Sequence, residues 1–213
     1  MTTILYLRCS PRGADAFSSR MAAEVIDRLR QTHHDAQVVL RDLSANPPAL
    51  VDAGFSAAIL APPNDTKPPA LATSEALIQE LEAADILVIA TPMHNFGVPA
   101  VLKAWVDQIV RIHRTFASTP TGKIGKLADR PAWLVVASGG WFSGPTPTGA
   151  PTGAPTGVPT QPDFLTGYVR TVLATIGIAD LRMITLEGMA RGADIATAAI
   201  TQARAELDRL SRP

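Results

Sequence analysis

The sequence has little of what marks several common classes of protein. Cys9 is its single cysteine, which excludes an intrachain disulfide and a cysteine-rich metal site. No stretch approaches the roughly 18 consecutive apolar residues that a membrane helix needs. The first residues lack the charged start and the apolar core of a signal peptide. We therefore expect no membrane insertion and a cytoplasmic location.

Neither sign of charge is in excess, and two nucleotide-binding patterns are missing. The 19 Lys and Arg residues balance the 19 Asp and Glu residues, so no basic stripe favours nucleic acid. The chain contains neither a G-x-G-x-x-G turn nor a Walker A loop. A nicotinamide-binding Rossmann site is therefore disfavoured as the primary cofactor site.

Strand and helix patterns alternate along the chain, and the apolar content of 46% is typical of a globular protein. Strands are predicted at 3–8, 37–40, 85–90, 133–137 and 181–186, and helices at 18–31, 73–83, 98–113, 164–176 and 194–210. Such alternation implies parallel pairing with right-handed crossovers. We predict a single α/β domain over residues 1–213 with a flavodoxin-like fold. Its doubly wound five-stranded parallel sheet has the order 2-1-3-4-5 and helices on both faces.

Two proline-rich segments interrupt this pattern. Residues 44–72 hold six prolines and are predicted to cross the surface without regular structure. Thr73 or Ser74 is expected to cap the next helix, and Asp194 the last one. A period-four Pro-Thr-Gly repeat at about 143–162 excludes a helix or a central strand. It is either a mobile flap over a site or a solvated insert that the surface tolerates.

The loop after the first predicted strand has the chemistry of a phosphate site. Ser10 follows the strand, and Ser18 lies where a helix begins. A helix start offers unpaired N–H groups and a partial positive charge, to which the two hydroxyls would add. Arg12 either adds charge or is solvated. The alternative for Ser18 is an ordinary N-cap, which needs no ligand.

The loop after the third predicted strand suits a planar ring with hydrogen-bonding edges, such as a flavin. It offers backbone N–H groups, the amide of Asn95 and the flat or soft side chains of Met93, His94 and Phe96. The alternative is a plain surface turn with Met93 and Phe96 packed into the core. His94 is a possible proton donor, although a lone histidine is often a bystander.

The loop after the fourth predicted strand brings glycines and aromatic rings together. Ser138, Gly139 and Gly140 let the backbone approach a ligand without Cβ hindrance, and Trp141 and Phe142 add aromatic walls. The alternative is a flexible entry to the repeat. Strands one, three and four are neighbours in the predicted order, so we expect the three loops to form one site at one edge of the sheet.

These loops and several later motifs resemble the FMN-dependent NADH-azoreductase family, also described as NADH:quinone oxidoreductases, over nearly the whole chain. The family pattern P-M-Y-N-F…P…LK…D is similar to Pro92–Phe96, Pro99, Leu102-Lys103 and Asp107, and further matches are Arg111 with Thr115-Phe116, Ser138-Gly139-Gly140, Gly177-Ile178 and Glu187-Gly188. Three departures stand out. Ala16 replaces the first serine of a Ser-x-Ser pair, His94 replaces a tyrosine, and the S-x-G-G loop is one residue shorter.

The resemblance implies a homodimer with one tightly bound FMN per subunit. Electrons would pass from NADH or NADPH to a quinone or an azo compound by ping-pong two-electron hydride transfer. The phosphate would be held by the serines of the first loop, and the ring by the other two loops. The residues that the resemblance assigns to the cofactor are Ser10, Ala16, Phe17, Ser18, Met93, His94, Asn95, Phe96, Ser138, Gly139, Gly140 and Trp141.

Other functions and roles stay open at this point. A related branch of NADPH-dependent FMN, chromate or quinone reductases carries P-E-Y-N in the ring loop, whereas Pro92–Asn95 has no glutamate. A flavodoxin-type electron carrier would need a T-x-T-G-x-T loop and an acidic surface. A non-catalytic binding module is the third alternative.

Cys9 is either a redox-sensitive thiol or a small buried residue. Glu187 is expected near the flavin or a dimer seam, or as a strand-end surface acid.

Overall fold

The computed structural model describes residues 1–61, 68–142 and 160–212. Residues 143–159 of the predicted insert lie outside this part. The strands are β1 (Thr3–Arg8), β2 (Gln37–Asp42), β3 (Ile86–Pro92), β4 (Phe116–Thr119), β5 (Gly122–Gly125), β6 (Ala132–Ala137) and β7 (Leu181–Leu186), and the α-helices are α1 (Phe17–Thr32), α2 (Ala53–Leu60), α3 (Ala72–Ala83), α4 (Ala100–Ile109), α5 (Thr166–Ile176) and α6 (Ala193–Leu210). Within the described part of the chain, no helix is both long enough and apolar enough to cross a membrane.

Five strands form one parallel sheet in the order β2-β1-β3-β6-β7. This is the predicted order 2-1-3-4-5, since β4 and β5 pair with each other outside the sheet. Helices α3, α4 and α5 pack on one face, and α1 and α6 on the other. The predicted flavodoxin-like, doubly wound fold is therefore confirmed.

Helix α1 shows how the sequence positions the edge of the sheet. Met21, Val25, Ile26 and Leu29 recur on one helical face, and all four are buried. This face packs on β3 and β6. Each of these side chains contributes about 1.5–3 kcal/mol by its burial. The packing fixes the start of α1 beside the carboxyl ends of the central strands.

The described parts of residues 44–72, namely 44–61 and 68–72, are more ordered than predicted. They contain α2, whose N-cap Asp52 accepts a hydrogen bond from Phe55 N at 2.7 Å. The ring of Phe55 is buried, and Gln108 of α4 donates its side-chain N–H to the carbonyl of Ala49 at 2.8 Å. The prediction of an irregular excursion is wrong for this helix. Its residues are apolar nearly all round, so no amphipathic period marks it.

The two predicted helix caps are also wrong. Leu71 is the N-cap of α3, and the hydroxyl of Ser74 donates to the carbonyl of Gln108 at 2.6 Å. Asp194 lies in the first turn of α6, whose N-cap is Gly192 without a side-chain cap. In α3, the hydroxyl of Ser74 therefore bonds to the neighbouring helix and does not cap its own helix.

The β4–β5 hairpin was not predicted, and two glycines allow it to pack. A Cβ atom on Gly125 would lie 2.2 Å from the backbone nitrogen of Gly177, at the end of α5. Gly177 has φ +111°, and a Cβ there would lie 2.4 Å from the carbonyl oxygen of Leu127. Leu127 N in turn donates to the carbonyl of Ile176 at 3.0 Å. Only glycine fits at both positions.

A cluster of charged side chains ties the chain after α4 to α3. The buried guanidinium of Arg111 donates to Ser74 Oγ at 2.9 Å and to Glu75 Oε2 at 2.7 Å. Arg114 bridges Glu75 at 3.0 Å and Glu82 at 2.6 Å. The cluster therefore holds the start of the hairpin segment on the helical layer.

This cluster predicts a loss of stability in acid. Arg114 and Arg111 hold the pKa of Glu75 at about 2, below its ordinary 4.5. The carboxylate therefore stabilises the fold above pH 4.5, and that contribution is lost as the pH falls toward about 2. Glu75→Gln is expected to lower the free energy of unfolding at pH 7 by about 2 kcal/mol, after allowing for solvent screening. It should also flatten the acid limb measured by urea denaturation.

The matched control for the acid prediction is Glu206→Gln, which removes an exposed pair with Arg209 on α6. It should leave the free energy of unfolding unchanged within the error of the measurement, because solvent screens an exposed pair. An acid limb of Glu75→Gln with the wild-type slope would contradict the assignment.

Candidate functional site

The carboxyl ends of three neighbouring strands bring the three predicted loops to one edge of the sheet. Arg8 of β1 pairs with Ala90 of β3, and Pro92 of β3 pairs with Ala137 of β6. Met93 N donates to the carbonyl of Ala137 at 2.8 Å, so the second and third loops begin in direct contact. This edge of parallel strands is where open α/β sheets bind ligands.

The first loop connects β1 to α1 through a buried serine and a short 3-10 turn. Ser10 is buried, and its hydroxyl accepts a hydrogen bond from Arg12 N at 3.2 Å. The guanidinium of Arg12 lies 5.7 Å from the ring centre of Phe17. Ala16 occupies the N-cap of α1, so the interpretation of Ser18 as an ordinary N-cap is wrong. Ser18 is available for another role.

The start of α1 presents hydrogen-bond donors that have no acceptor within the described part of the chain. They are the backbone N–H groups of Phe17, Ser18 and Ser19, and the hydroxyl of Ser18. That hydroxyl is also buried, and burying one without a partner costs about 1–3 kcal/mol. A phosphate oxygen would accept from these groups and would meet the positive end of the helix dipole. The site therefore fits a phosphate group.

The second loop is a tight turn with a strained backbone. His94 N donates to the carbonyl of Gly97 at 3.0 Å, and Gly97 N donates back at 2.9 Å. Between them, Asn95 has φ 47° and Phe96 has φ 71°, the left-handed pair of a type I′ turn. Asparagine tolerates this region, whereas for phenylalanine it costs about 1–2 kcal/mol. Strain of this kind concentrates at ligand sites.

Most side chains of this turn are exposed to solvent. Met93 packs against the core, as the surface-turn alternative predicted, but Phe96 is 42% exposed, so that alternative is wrong for the ring. His94 and Asn95 are exposed as well. Their N–H and side-chain groups are therefore accessible to a ligand at the edge of the sheet. Among the described residues, Asn95 N and Phe96 N have no acceptor.

The strain at Phe96 gives a stability prediction. Phe96→Gly should be more stable than Phe96→Ala by about 1 kcal/mol, because both remove the ring and only glycine accepts the left-handed backbone freely. Urea denaturation of the two variants measures this difference. Phe164 is the matched control, since it is exposed and has a negative φ. There alanine should be at least as stable as glycine. Equal stabilities of the two Phe96 variants would contradict the strained turn.

The third loop uses its carbonyl groups inside the protein, whereas three of its amides have no acceptor among the described residues. Ser138 Oγ donates to the carbonyl of Gly140 at 3.0 Å, and Gly188 N donates to the same carbonyl at 2.9 Å. The N–H groups of Gly139, Gly140 and Trp141 have no acceptor among the described residues. This arrangement suits a ligand edge that accepts hydrogen bonds.

The aromatic residues around this loop have different surroundings. The indole of Trp141 is buried, with the Arg191 guanidinium 5.0 Å from its ring centre. The ring of Phe142 meets that of Phe96 edge to face at 6.3 Å. Phe164 N donates to the carbonyl of Phe96 at 3.0 Å. Residues on either side of 143–159 therefore contact the second loop.

Cys9 adds no thiol chemistry to this edge. Cys9 is fully buried, and burial raises the pKa of its thiol, which keeps it protonated. Of the two predictions for Cys9, the structure supports the small buried residue. Within the described part of the chain, no group of three or more His, Cys, Asp or Glu residues is placed to hold a metal.

One residue of this edge has a contact that sequence reasoning missed. Glu187 follows β7 and is 9% exposed, and its Oε2 accepts a hydrogen bond from Phe142 N at 2.9 Å. The sequence predicted Glu187 near the flavin or a dimer seam, or as a strand-end surface acid, and its burial makes the surface alternative wrong. No local signal could have found the bond, since its partners are 45 residues apart.

Comparison with known proteins identifies relatives of the whole chain. The family model described as "Flavodoxin-like fold" matches residues 2–210. FMN-dependent NADH:quinone oxidoreductase 4 of Pseudomonas fluorescens is 42% identical over 208 residues, which cover 97% of this chain and 94% of the relative. FMN-dependent NADH:quinone oxidoreductase 2 of Cupriavidus pinatubonensis is 44% identical over 198 residues, which cover 91% and 90%.

Solved structures agree in fold. A crystal structure of an azoreductase from Bacillus anthracis superposes with a TM-score of 0.78 at 23% identity and covers 99% of both chains. An FMN-dependent NADH-azoreductase from the same species, solved in complex with FMN, gives a TM-score of 0.77 at 19% identity over the full length of both chains. The family model and the curated relatives together establish that this chain belongs to the flavodoxin-like family of FMN-dependent NADH:quinone oxidoreductases.

Proposed function

We propose that this chain is an enzyme that binds FMN and uses NADH or NADPH to reduce quinones and azo compounds by two-electron transfer. One observation carries the proposal: the loops at one edge of the sheet carry three sets of donors that have no acceptor among the described residues, and the buried hydroxyl of Ser18 is one of these donors. The names of the curated relatives and of the azoreductase structures support the same substrate classes.

The residues fit FMN by the kind of group that each loop offers. Ser10 and Ser18, with the first N–H groups of α1, would bind the phosphate. Loss of the family's first serine at Ala16 removes one donor, on the order of 1 kcal/mol of phosphate binding. The turn at 93–96 would line the ring, and the amides of 139–141 would bind its polar edge.

When bound, FMN supplies the hydride chemistry, accepting a hydride from the nicotinamide and passing two electrons to the acceptor. The chain's own residues orient the reactants and exclude water on the buried side. The open side of the turn, with His94 and Phe96 exposed, leaves room for a flat acceptor. No side chain is required as a covalent nucleophile.

His94 is proposed to donate a proton or a hydrogen bond to the acceptor, with water as the alternative donor. His94→Ala is expected to lower kcat for quinone reduction by about tenfold while FMN binding changes little, because water replaces the imidazole only in part. Stopped-flow measurement of the reoxidation step checks this. Unchanged quinone turnover in the variant would assign proton donation to water.

The proposal extends to assembly and location. We propose a cytoplasmic homodimer, consistent with one buried thiol and with exposed apolar side chains at Leu50, Val51 and Leu60 in the 44–72 segment. Burial of such side chains between two copies would be favourable. Light scattering during size-exclusion chromatography should give twice the 22.5 kDa chain mass.

The other functions lack a comparable observation. The ring loop has Met93 where the chromate-reductase branch has glutamate, and the balanced charge does not match the acidic surface of an electron carrier. A non-catalytic binding module is not supported by the curated relatives, which are named as oxidoreductases.

Anaerobic spectroscopy tests the proposed function. The protein loaded with FMN should be yellow, should bleach on addition of NADH or NADPH, and should recover its colour with a quinone or an azo dye. A colourless protein that rejects added FMN would contradict the proposal. Bleaching that requires a separate reductase would identify an electron carrier instead.

A further inference from the structure

The glycine loop of residues 138–142 is fastened along its length to the segment of residues 186–190 that follows β7. Four of the contacts are backbone bonds: Ser138 N to Leu186 O at 2.8 Å, Gly188 N to Gly140 O at 2.9 Å, Met189 N to Ser138 O at 3.0 Å and Ala190 N to Gly139 O at 3.4 Å. The fifth is the bond from Phe142 N to the carboxylate of Glu187 at 2.9 Å. We call this set of contacts the loop clamp.

The contacts of the loop clamp determine which backbone groups of the glycine loop remain available to a ligand. The carbonyls of 138, 139 and 140 all accept bonds from the 186–190 segment. The amides of Gly139, Gly140 and Trp141 stay without acceptors in the described part of the chain. Two consecutive glycines have the greatest backbone freedom, so this orientation needs anchors on both sides. Ser138 N provides the first anchor and Phe142 N the second.

Glu187 supplies the second anchor with a buried charged group. A carboxylate costs free energy to bury, and a hydrogen bond from a backbone N–H to it is about twice as strong as a neutral one. Gly188 lets the segment come close, since a Cβ there would lie 2.9 Å from Ile195 and 3.0 Å from the indole nitrogen of Trp141, at φ +72°. The bond from Phe142 N to Glu187 and the close approach of Gly188 to Trp141 both hold the carboxyl-terminal end of the loop.

We propose that Glu187 is a positioning residue that holds the unused amides of the glycine loop ready for the ligand. It acts through Phe142 N and touches no ligand itself. This inference rests on the proposed function where it concerns FMN. The consequence for the loop, that its amides are held rigid in the ligand-free protein, stands on the contacts alone.

The experiment compares Glu187→Ala, Glu187→Gln and Asp129→Ala. Glutamine keeps an oxygen that accepts from Phe142 N, whereas alanine does not. Asp129 is the matched control because its carboxylate also accepts backbone bonds, from Ala179 at 2.8 Å and Asp180 at 3.3 Å, just before β6 and away from the ligand edge. Each variant is measured by amide hydrogen exchange without FMN, by FMN titration with fluorescence quenching, and by urea denaturation.

We expect Glu187→Ala to speed exchange of the Phe142 amide about tenfold and to weaken FMN binding about tenfold. Glu187→Gln should restore both to within about threefold of wild type. Asp129→Ala should lower the urea midpoint but leave loop exchange and FMN affinity unchanged, which separates positioning from a general loss of stability.

Three results would overturn the inference. They are wild-type loop exchange in Glu187→Ala, a glutamine variant as impaired as the alanine variant, and an equal loss of FMN affinity in Asp129→Ala. If the wild-type protein rejects FMN, the proposed function fails, and the exchange measurements still decide whether Glu187 holds the loop.

Discussion

Replacing Ser18 with alanine is expected to weaken FMN binding about 10- to 100-fold while leaving the ligand-free protein as stable as wild type, or up to about 1 kcal/mol more stable. The hydroxyl of Ser18 is buried and has no protein partner in the described residues. Removing it spares the ligand-free fold an unsatisfied donor, whereas the complex loses a charge-assisted hydrogen bond to phosphate. The affinity for FMN is therefore expected to fall, whereas the stability of the ligand-free protein is not.

The matched control for this prediction is Ser74→Ala, at another buried serine in the first turn of a helix. Ser74 Oγ accepts from Arg111 at 2.9 Å and donates to the carbonyl of Gln108 at 2.6 Å, far along the chain from the phosphate loop. Its removal should lower stability by about 1–3 kcal/mol and leave FMN affinity unchanged. Flavin titration and urea denaturation of both variants give the comparison. Wild-type FMN affinity in Ser18→Ala would exclude this hydroxyl from the phosphate site.

Gly125→Ala is expected to destabilise the protein by at least about 3 kcal/mol. A Cβ at this position would lie 2.2–2.5 Å from backbone atoms of Gly177 and Ile176, which cannot move aside as a side-chain end could. Relief requires separating β5 from the end of α5, which also breaks the bond from Leu127 N to the carbonyl of Ile176. Overpacking against a fixed backbone belongs to the most destabilising class of substitutions.

Gly167→Ala provides the opposite case on the neighbouring helix. A Cβ at Gly167, in the first turn of α5, would meet nothing within 4 Å. Alanine should stabilise the helix there by about 0.5–1 kcal/mol. Thermal unfolding of the two variants should therefore shift Tm in opposite directions. A Gly125→Ala protein with the wild-type Tm would show that β5 does not pack against α5 as described.

The sequence predicts the elements whose pattern is strong and local. The apolar run of β3 and the apolar face of α1 each follow one clear period, and both are found as predicted. The β4–β5 hairpin follows none: its strands have four residues each, and Phe116 is the one buried residue among them. Their position depends on the pair Gly125 and Gly177, 52 residues apart by their numbers, and no local pattern reports such a contact.

The sequence likewise predicts some features of the candidate site and not others. Parallel strands place their following loops at one edge, so the positions of Ser18, Asn95 and Gly139 follow from the order of the sheet. The turn at Asn95 and Phe96 could not be predicted, because asparagine followed by glycine is the usual type I′ pair and phenylalanine is not. The bond from Phe142 to Glu187 depends on the register of β6 with β7.

The central claim is that one ligand meets all three loops at the carboxyl edge of the sheet. Amide chemical shifts of 15N-labelled protein during an FMN titration test it most directly. We expect the amide signals of Phe17, Ser18, Asn95 and Gly139 to shift together with a single affinity. The amide signals of Asp129 and Ala179, at the opposite edge of the sheet, should not shift. Shifts confined to one loop, or centred on the groove between α1 and α6 near Arg20 and Thr201, would contradict it.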